Sequence, residues 1–332
     1  MPVLYIKEQG ACVRKRDECI VVSKGADTLL QIPVANVDNL AVIGNVQVTS
    51  QALKMLMVKG IDVNYFTFSG KYLGHTAAEA SKNVFLRLAQ YEMYRDLEQR
   101  MKMARRIVDN KIQNQINLIR GIRFKSGEYS WQQDVEKMEE YRARLPEKQT
   151  SNEILGIEGI CSNIYFGAFG KMLRSGIVFH GRNRRPPKDP VNIIISLGYT
   201  FLTKEVSNGL DSESFEMYLG FLHGIRYGRK SLALDMVEEF RQPVVDRLAI
   251  RLFNKRIFTE CDSCTDEGQV ILTEDGFRKI CREFERWMTD KSFSGSLMSF
   301  RSRIREQAGQ LKRAVQGNGE YIPFLWEGPT CI

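Results

Sequence analysis

Near residue 78 the hydrophobic pattern of this 332-residue chain changes period, and no fold built from one kind of secondary structure accommodates both halves. Before that point come short runs, "VLYI", "CIVVS", "TLLQIPV", "LAVIG", "DVNYFTF" and "KYLGH". They are strand-length, rich in β-branched residues and punctuated by Gly, Asp and Asn turn signals. One stretch between them, "VTSQALKMLMVKG", has a Thr/Ser start, an apolar stripe and a Gly stop, and predicts a helix. After "HTAAEAS" the spacing becomes helical: Val108, Ile112, Ile116 and Ile119 recur at fours and threes, and similar spacing continues through much of the remainder. The expectation is an α+β protein of two domains, with a boundary between residues 76 and 82. A small, mainly β domain would span residues 1–78 and a larger all-α domain residues 79–332. The length agrees, since a domain averages roughly 150 residues.

Lys and Arg outnumber Asp and Glu by 48 to 40, giving a formal net charge of +8. That excess favours an anionic partner, nucleic acid first and a membrane surface second. The start "MPVLYIKEQG" has no basic segment leading into an apolar run, and no apolar stretch approaches the roughly 18 residues a membrane span needs. A cytoplasmic, unanchored protein is expected. Seven cysteines, an odd number on a long chain, read as reduced thiols rather than a disulfide framework. The stretch "RLPEKQTSNE" is a polar break before a helix, "HGRNRRPPKDP" a basic, proline-bearing loop, and "QGNGEY" the mark of a loosely held tail.

Three places carry chemistry. Glu158, in "SNEILGIEGICSNIYF", lies beside the apolar positions Ile154, Cys161, Ile164 and Tyr165. A carboxylate there is either paired with a nearby Arg, placed at the stripe's edge, or bound to metal, because a bare buried charge is very costly. His223, in "YLGFLHGIRYG", is one of three histidines; alone it reads as a hydrogen-bonded core residue. Soon after it, "LALDMVEEFRQPVVD" gathers Asp235, Glu238 and Glu239 on what reads as an ordinary amphipathic helix, with Ser231 as its expected N-cap. Glu158, His223 and Glu238, with Asp235 beside them, form an oxygen-rich set with one nitrogen, suited to Mg²⁺ or Mn²⁺. An acidic solvated helix face near an unrelated histidine fits the spacing equally. The third place is basic. Arg182, Arg184, Arg185 and Lys188 share one loop, and Arg229 and Lys230 follow His223. These are candidates for gripping a phosphodiester backbone, or solvated charges that aid solubility. Cys261 and Cys264 form a lone C-x-x-C with Cys281 downstream, a poor zinc candidate for want of a fourth ligand. His75 and His180 read as structural or surface residues.

The stretches "NVFLRLAQY", "GIEGICSNIYF", "RRPPKDPVNIIISLGYTFL" and "GFLHGIRYGRKSLALDMVEEFRQPVVDRL" together resemble the CRISPR-associated endonuclease and integrase family that inserts new spacers into CRISPR arrays. The resemblance runs from the β-rich start to about residue 250; nothing beyond about residue 255 is matched by it. It implies an N-terminal β domain that mediates homodimerisation and a helical catalytic domain holding a Mg²⁺ or Mn²⁺ site. Glu158, His223 and Glu238 would be the ligands and Asp235 a supporting acid. It further implies joining of the 3′-hydroxyl ends of captured double-stranded DNA to a repeat. The implied partners are a small ferredoxin-like adaptation protein that bridges two dimers and, in some systems, an end-trimming nuclease. The block "EEFRQPVVD" departs from the family's usual Arg-Pro step by carrying Gln242 between them, which puts the helix register after Arg241 in question. The rival expectations are a non-catalytic DNA-binding scaffold and a metal-dependent RNA-processing hydrolase.

Overall fold

The computed structural model describes residues 3–76, 83–122, 131–174, 176–177, 179–183, 186–266 and 269–327. The chain divides into two compact units, Met1–Ala80 and Ser81–Ile332.

The first unit holds two four-stranded sheets. In one, β1 (Val3–Ile6), β5 (Asn39–Ile43) and β7 (Asp62–Phe66) run parallel, and β8 (Tyr72–Thr76) closes the edge antiparallel. In the other, β4 (Asp27–Pro33), β3 (Cys19–Lys24) and β2 (Cys12–Arg16) form a meander to which β6 (Gln47–Val48) adds in parallel. The predicted helix is α1 (Ser50–Val58), capped by Thr49, whose hydroxyl accepts the Ala52 N–H. Its Ala52, Met55 and Leu56 join Val13, Ile20, Leu40 and Val63 in one core. Strands β2 and β6 escaped the sequence reading. "CVRKR" is mostly charged, and β6 is only two residues long.

The second unit is helical: α2 (Val84–Arg95), α3 (Leu97–Gly121), α4 (Trp131–Ala143), α5 (Ser151–Met172) and α6 (Pro190–Glu213) are followed by α7 (Ser231–Val237). After α7 come a π-helical turn (Arg241–Asp246) and α8 (Arg247–Asn254). A short antiparallel hairpin, β9 (Ser263–Asp266) and β10 (Gln269–Leu272), interrupts the all-helical expectation before α9 (Glu274–Thr289), α10 (Lys291–Ser294) and α11 (Phe300–Val315). The run "QVIL" is too short and too β-branched to extend a helix.

Two helix starts follow directly from sequence. Thr150 and Glu153 form a capping box at the head of α5, and Asp189, at the end of the basic loop, caps α6 by accepting the Asn192 N–H at 2.7 Å. The single helix expected over residues 232–246 is instead broken. Pro243 has no N–H to give the Glu239 carbonyl four residues back, and the chain widens into the π turn. The Asn114 side-chain amide fills that acceptor at 3.0 Å. Gly198 on α6 lets the turn pack closely, since a Cβ there would stand 2.6 Å from Val245 Cγ1.

The tail expected to be loose is a strap anchored by two buried side chains. Asn110, Asn114 and Asn117, one helical face of α3, donate to the carbonyls of Phe324 and Trp326 at 2.9 to 3.1 Å, and Trp326 N–H returns a bond to Asn114 Oδ1 at 3.0 Å. Tyr321 and Trp326 are fully buried, and Phe324 stacks on Phe240. The Gly and Asn residues of "QGNGEY" form only the turn; the apolar "YIPFLW" that follows supplies the anchor.

A candidate metal centre beside a basic cavity

Glu158 projects from the middle of α5 toward α3, where it meets the ammonium of Lys111. The same Nζ lies 2.6 Å from Glu238 Oε2, and Arg241 holds the other Glu238 oxygen at 3.0 Å. Lys111 and Glu238 are almost wholly buried, whereas Glu158 keeps about a fifth of its surface exposed and accepts the Ser162 hydroxyl at 2.9 Å. Burial alone would raise the Glu238 carboxyl, but Arg241, Lys111 and His223 outweigh it and hold the group at about 2. Glu238 Oε2 lies close to the Lys111 ammonium but makes no hydrogen bond of good geometry, so that buried oxygen is held by charge alone.

Asp235 does something different. The N–H groups of Phe221 and Leu222 donate to its Oδ2 at 2.5 and 2.9 Å, and that of His223 donates to Oδ1 at 3.0 Å. His223 Nδ1 lies 2.7 Å from the same Oδ1. A carboxylate can only accept, so Nδ1 carries a proton, and in the neutral ring the lone pair is on Nε2, the arrangement usual for a metal-binding imidazole. Gly220 makes this possible, because a Cβ there would sit 2.8 Å from Asp235 Oδ2 and 2.7 Å from the Ser231 carbonyl carbon. Ser231 is not the N-cap that the sequence suggested. Lys230 occupies that position, and the Ser231 hydroxyl instead donates to the Gly224 carbonyl at 3.1 Å, closing the loop after His223.

Glu239 faces away. Its carboxyl accepts the Tyr321 hydroxyl and, at 2.7 Å, the Phe324 N–H of the strap. Complete burial without a neighbouring cation pushes it up to about 8, despite those two bonds. Adjacent glutamates thus serve separate ends, one turned to the site and one to the scaffold.

Beside Glu158 opens a cavity of about 650 Å³, walled by Lys111, His180, Arg182, Tyr199 and Arg241 among others. Arg182 donates to Asn192 Oδ1 at 2.8 Å and Ser196 Oγ at 3.0 Å, which fixes its guanidinium against α6. Arg241 lies over the Tyr199 ring at 4.6 Å, and the Tyr199 and Tyr165 hydroxyls both donate to buried Asp246 at 2.7 Å. Burial raises Asp246 to about 6 against those bonds. Lys188 is exposed. Arg229 is drawn back onto Gly224 O and Ser231 Oγ, and Lys230 is half-buried. Arg184 and Arg185 lie outside the described residues.

Among the described residues no three His, Cys, Asp or Glu side chains converge on one point as a metal set. Cys261 and Cys264 are exposed free thiols. Glu158, His223 and Glu238 are not drawn into a single ligand shell either, and Lys111 Nζ stands between the two carboxylates. The donor chemistry nevertheless suits a hard divalent cation: two carboxylates already share one cation, and the part-exposed imidazole of His223 is tied to Asp235 through Nδ1, not Nε2. The residues that sequence reasoning missed are Lys111, Arg241 and Tyr199. A signal existed for the first. Asn110, Lys111, Asn114 and Gln115 are polar residues at helical spacing beside the apolar stripe of α3, and all are buried.

A family model described as CRISPR associated protein Cas1 matches residues 4–286, well past residue 255 and through the two thiols. The CRISPR-associated endonuclease Cas1 3 of Thermus thermophilus is 32% identical over 328 residues, covering 97% of this chain and 96% of that protein. A solved structure of a CAS1 protein from Thermotoga maritima superposes with a TM-score of 0.84 at 26% identity, over 96% of this chain and 98% of that one. A casposase bound to its integration product has the same fold, with a TM-score of 0.84 at 21% identity over 100% of this chain and 95% of its own. No helix of the described residues is long and apolar enough to cross a membrane.

Proposed function

The chain belongs to the CRISPR-associated Cas1 family, and from that membership we infer that it is an endonuclease and integrase of CRISPR adaptation whose centre is Glu158, His223 and Glu238. One observation carries the assignment of the centre. Glu158 and Glu238 turn to a single cation position while Asp235 leaves the Nε2 lone pair of His223 free.

The reaction is a transesterification. The 3′-oxygen of a captured DNA end bonds to a phosphorus of the repeat strand, the P–O bond to that strand's own 3′-oxygen breaks, and the leaving oxygen takes up a proton. One phosphodiester is exchanged for another, so no external energy source is needed. Glu158, His223 and Glu238 would hold a Mg²⁺ or Mn²⁺ ion, which would supply polarisation of the phosphoryl oxygen and a lower pKa for the attacking hydroxyl. Asp235 is a positioning residue that fixes the tautomer of His223 and ties it to the Phe221–His223 backbone. Arg241 keeps Glu238 ionised. Arg182 lends positive potential to the cavity wall, and Arg184, Arg185 and Lys188 of the same loop, with Arg229 and Lys230, hold the DNA backbone. The N-terminal unit would pair two copies of the chain. A small ferredoxin-like adaptation protein would bridge two such dimers, and an end-trimming nuclease would prepare the fragment.

The test uses a branched DNA that mimics a half-integrated fragment, with Mn²⁺, Mg²⁺ or chelator, and compares wild type with His223→Ala and Glu158→Ala. Strand transfer that needs metal and is lost in both variants, with DNA binding kept, is expected. Metal-indifferent DNA binding without transfer in any condition would favour the scaffold reading. Equal turnover of an RNA competitor would favour the RNA hydrolase.

A further inference from the structure

We propose that Lys111 is an internal counter-cation that occupies the metal position between Glu158 and Glu238 and must be displaced for a divalent ion to bind. The inference rests on the centre assigned above and adds to it a residue that sets its metal affinity. A lysine in the middle of a long helix is ordinarily a surface residue with its ammonium in water. This one is almost fully buried, with its Nζ against Glu158 Oε1 and 2.6 Å from Glu238 Oε2. Two carboxylates that face each other in a largely buried site repel, and one positive charge between them removes that repulsion. Metal and ammonium therefore compete for the same oxygens.

The surroundings allow the exchange. Lys111 lines the cavity of about 650 Å³, so its flexible four-carbon stem has free space into which to swing. Glu238 is secured from the other side by Arg241 and Glu158 by Ser162, so both carboxylates keep their orientation when the ammonium leaves. The site therefore stays folded without metal, and binds metal more weakly than the same donors would without the lysine.

Mn²⁺ binding to the full chain, followed by loss of the free-ion electron paramagnetic resonance signal, tests this in wild type, Lys111→Met, Lys111→Arg and Glu158→Ala. The expected result is a Kd at least tenfold lower in Lys111→Met, because the competitor is gone. A Kd at least tenfold higher is expected in Lys111→Arg, whose fork binds carboxylates bidentately and is harder to displace. Thermal unfolding supplies the second readout: Lys111→Met melts lower than wild type without metal and gains more from Mn²⁺ than wild type does. If Lys111→Met folds only with Mn²⁺, the ion has replaced the lysine and the proposal stands. If it folds in neither condition, the Lys111→Arg shift decides. Unchanged or weaker Mn²⁺ binding in a folded Lys111→Met, with Glu158→Ala losing the ion, overturns the role of Lys111 alone. Full Mn²⁺ binding by Glu158→Ala overturns the centre itself, and this inference with it.

Discussion

Replacing Asp235 by Asn removes one charge and one acceptor from a carboxylate that is 1% exposed and receives four hydrogen bonds. Its two oxygens each serve a pair of donors: Oδ2 takes Phe221 and Leu222 N–H, and Oδ1 takes His223 N–H and Nδ1–H. An amide keeps only one acceptor, so one pair must face an NH₂ group instead. A hydrogen bond to a charged group contributes about 1.5–3 kcal/mol, so losing a pair costs about 3–6 kcal/mol. That is a large share of the roughly 5–15 kcal/mol by which a domain is stable. The two orientations of the amide differ in consequence. With its oxygen toward Phe221 and Leu222, its NH₂ faces His223 Nδ1 and moves the ring proton to Nε2, which ends the ring's capacity to ligate. With its oxygen toward His223, the Phe221–Leu222 backbone loses its anchor. Urea unfolding measures the stability, and ¹⁵N chemical shifts of the His223 ring report the tautomer. A variant within 1 kcal/mol of wild type, with Nε2 still unprotonated, would refute the account of Asp235 as the residue that holds His223.

Gly198→Ala should destabilise by about 1–3 kcal/mol, as overpacking does, because its Cβ would lie 2.6 Å from Val245 Cγ1. Val245→Ala in the same chain should recover part of the loss, read by the same unfolding curves. Stability should also fall as pH rises through the neutral range. Glu239, raised from 4.5 to about 8, keeps a proton in the folded state that the unfolded chain has released, so its contribution is complete below 4.5 and gone above about 8. Asp246, raised from 3.8 to about 6, adds a loss in the same direction at lower pH. Glu238 acts oppositely: its contribution is present above 4.5 and lost as pH falls toward about 2. Glu239→Gln should flatten the slope between pH 6 and 8, which is about 1.4 kcal/mol per pH unit for one proton; an unchanged slope would count against the buried carboxyl.

The change of hydrophobic period near residue 78 was readable because burial writes period two in strands and near 3.6 in helices, and both regions are long enough to show it. Glu158, His223, Asp235 and Glu238 stand in sequence blocks that mark them as candidates, and they form the proposed centre. What each does was not readable, because role depends on partners distant in sequence. Asp235 and Glu238 are three residues apart and chemically alike, yet one is spent on backbone amides and the other on Lys111 and Arg241. Glu239 is one residue further and belongs to the strap. Lys111 was hidden because a lysine on an amphipathic helix is usually solvated, and only the polar residues Asn110, Lys111, Asn114 and Gln115 at helical spacing hinted otherwise. The π turn was hidden because a proline signals a break without saying what shape the break takes, and here Asn114 settles it from another helix.

Residues 320–326 fasten α3 and, through Tyr321 and Phe324, the turn next to Glu238. A ribosome making this chain completes Glu158, His223 and Glu238 well before it reaches that strap. Until then Asn114 lacks its partners at Phe324 and Trp326, and the Glu239 carboxyl lacks the Tyr321 hydroxyl and the Phe324 N–H. The strap that orders the polar face of α3 and the turn at Glu239 is therefore the last part of the unit to be made, so a copy ending before residue 320 has every residue of the proposed centre but lacks the contacts that bury Glu239.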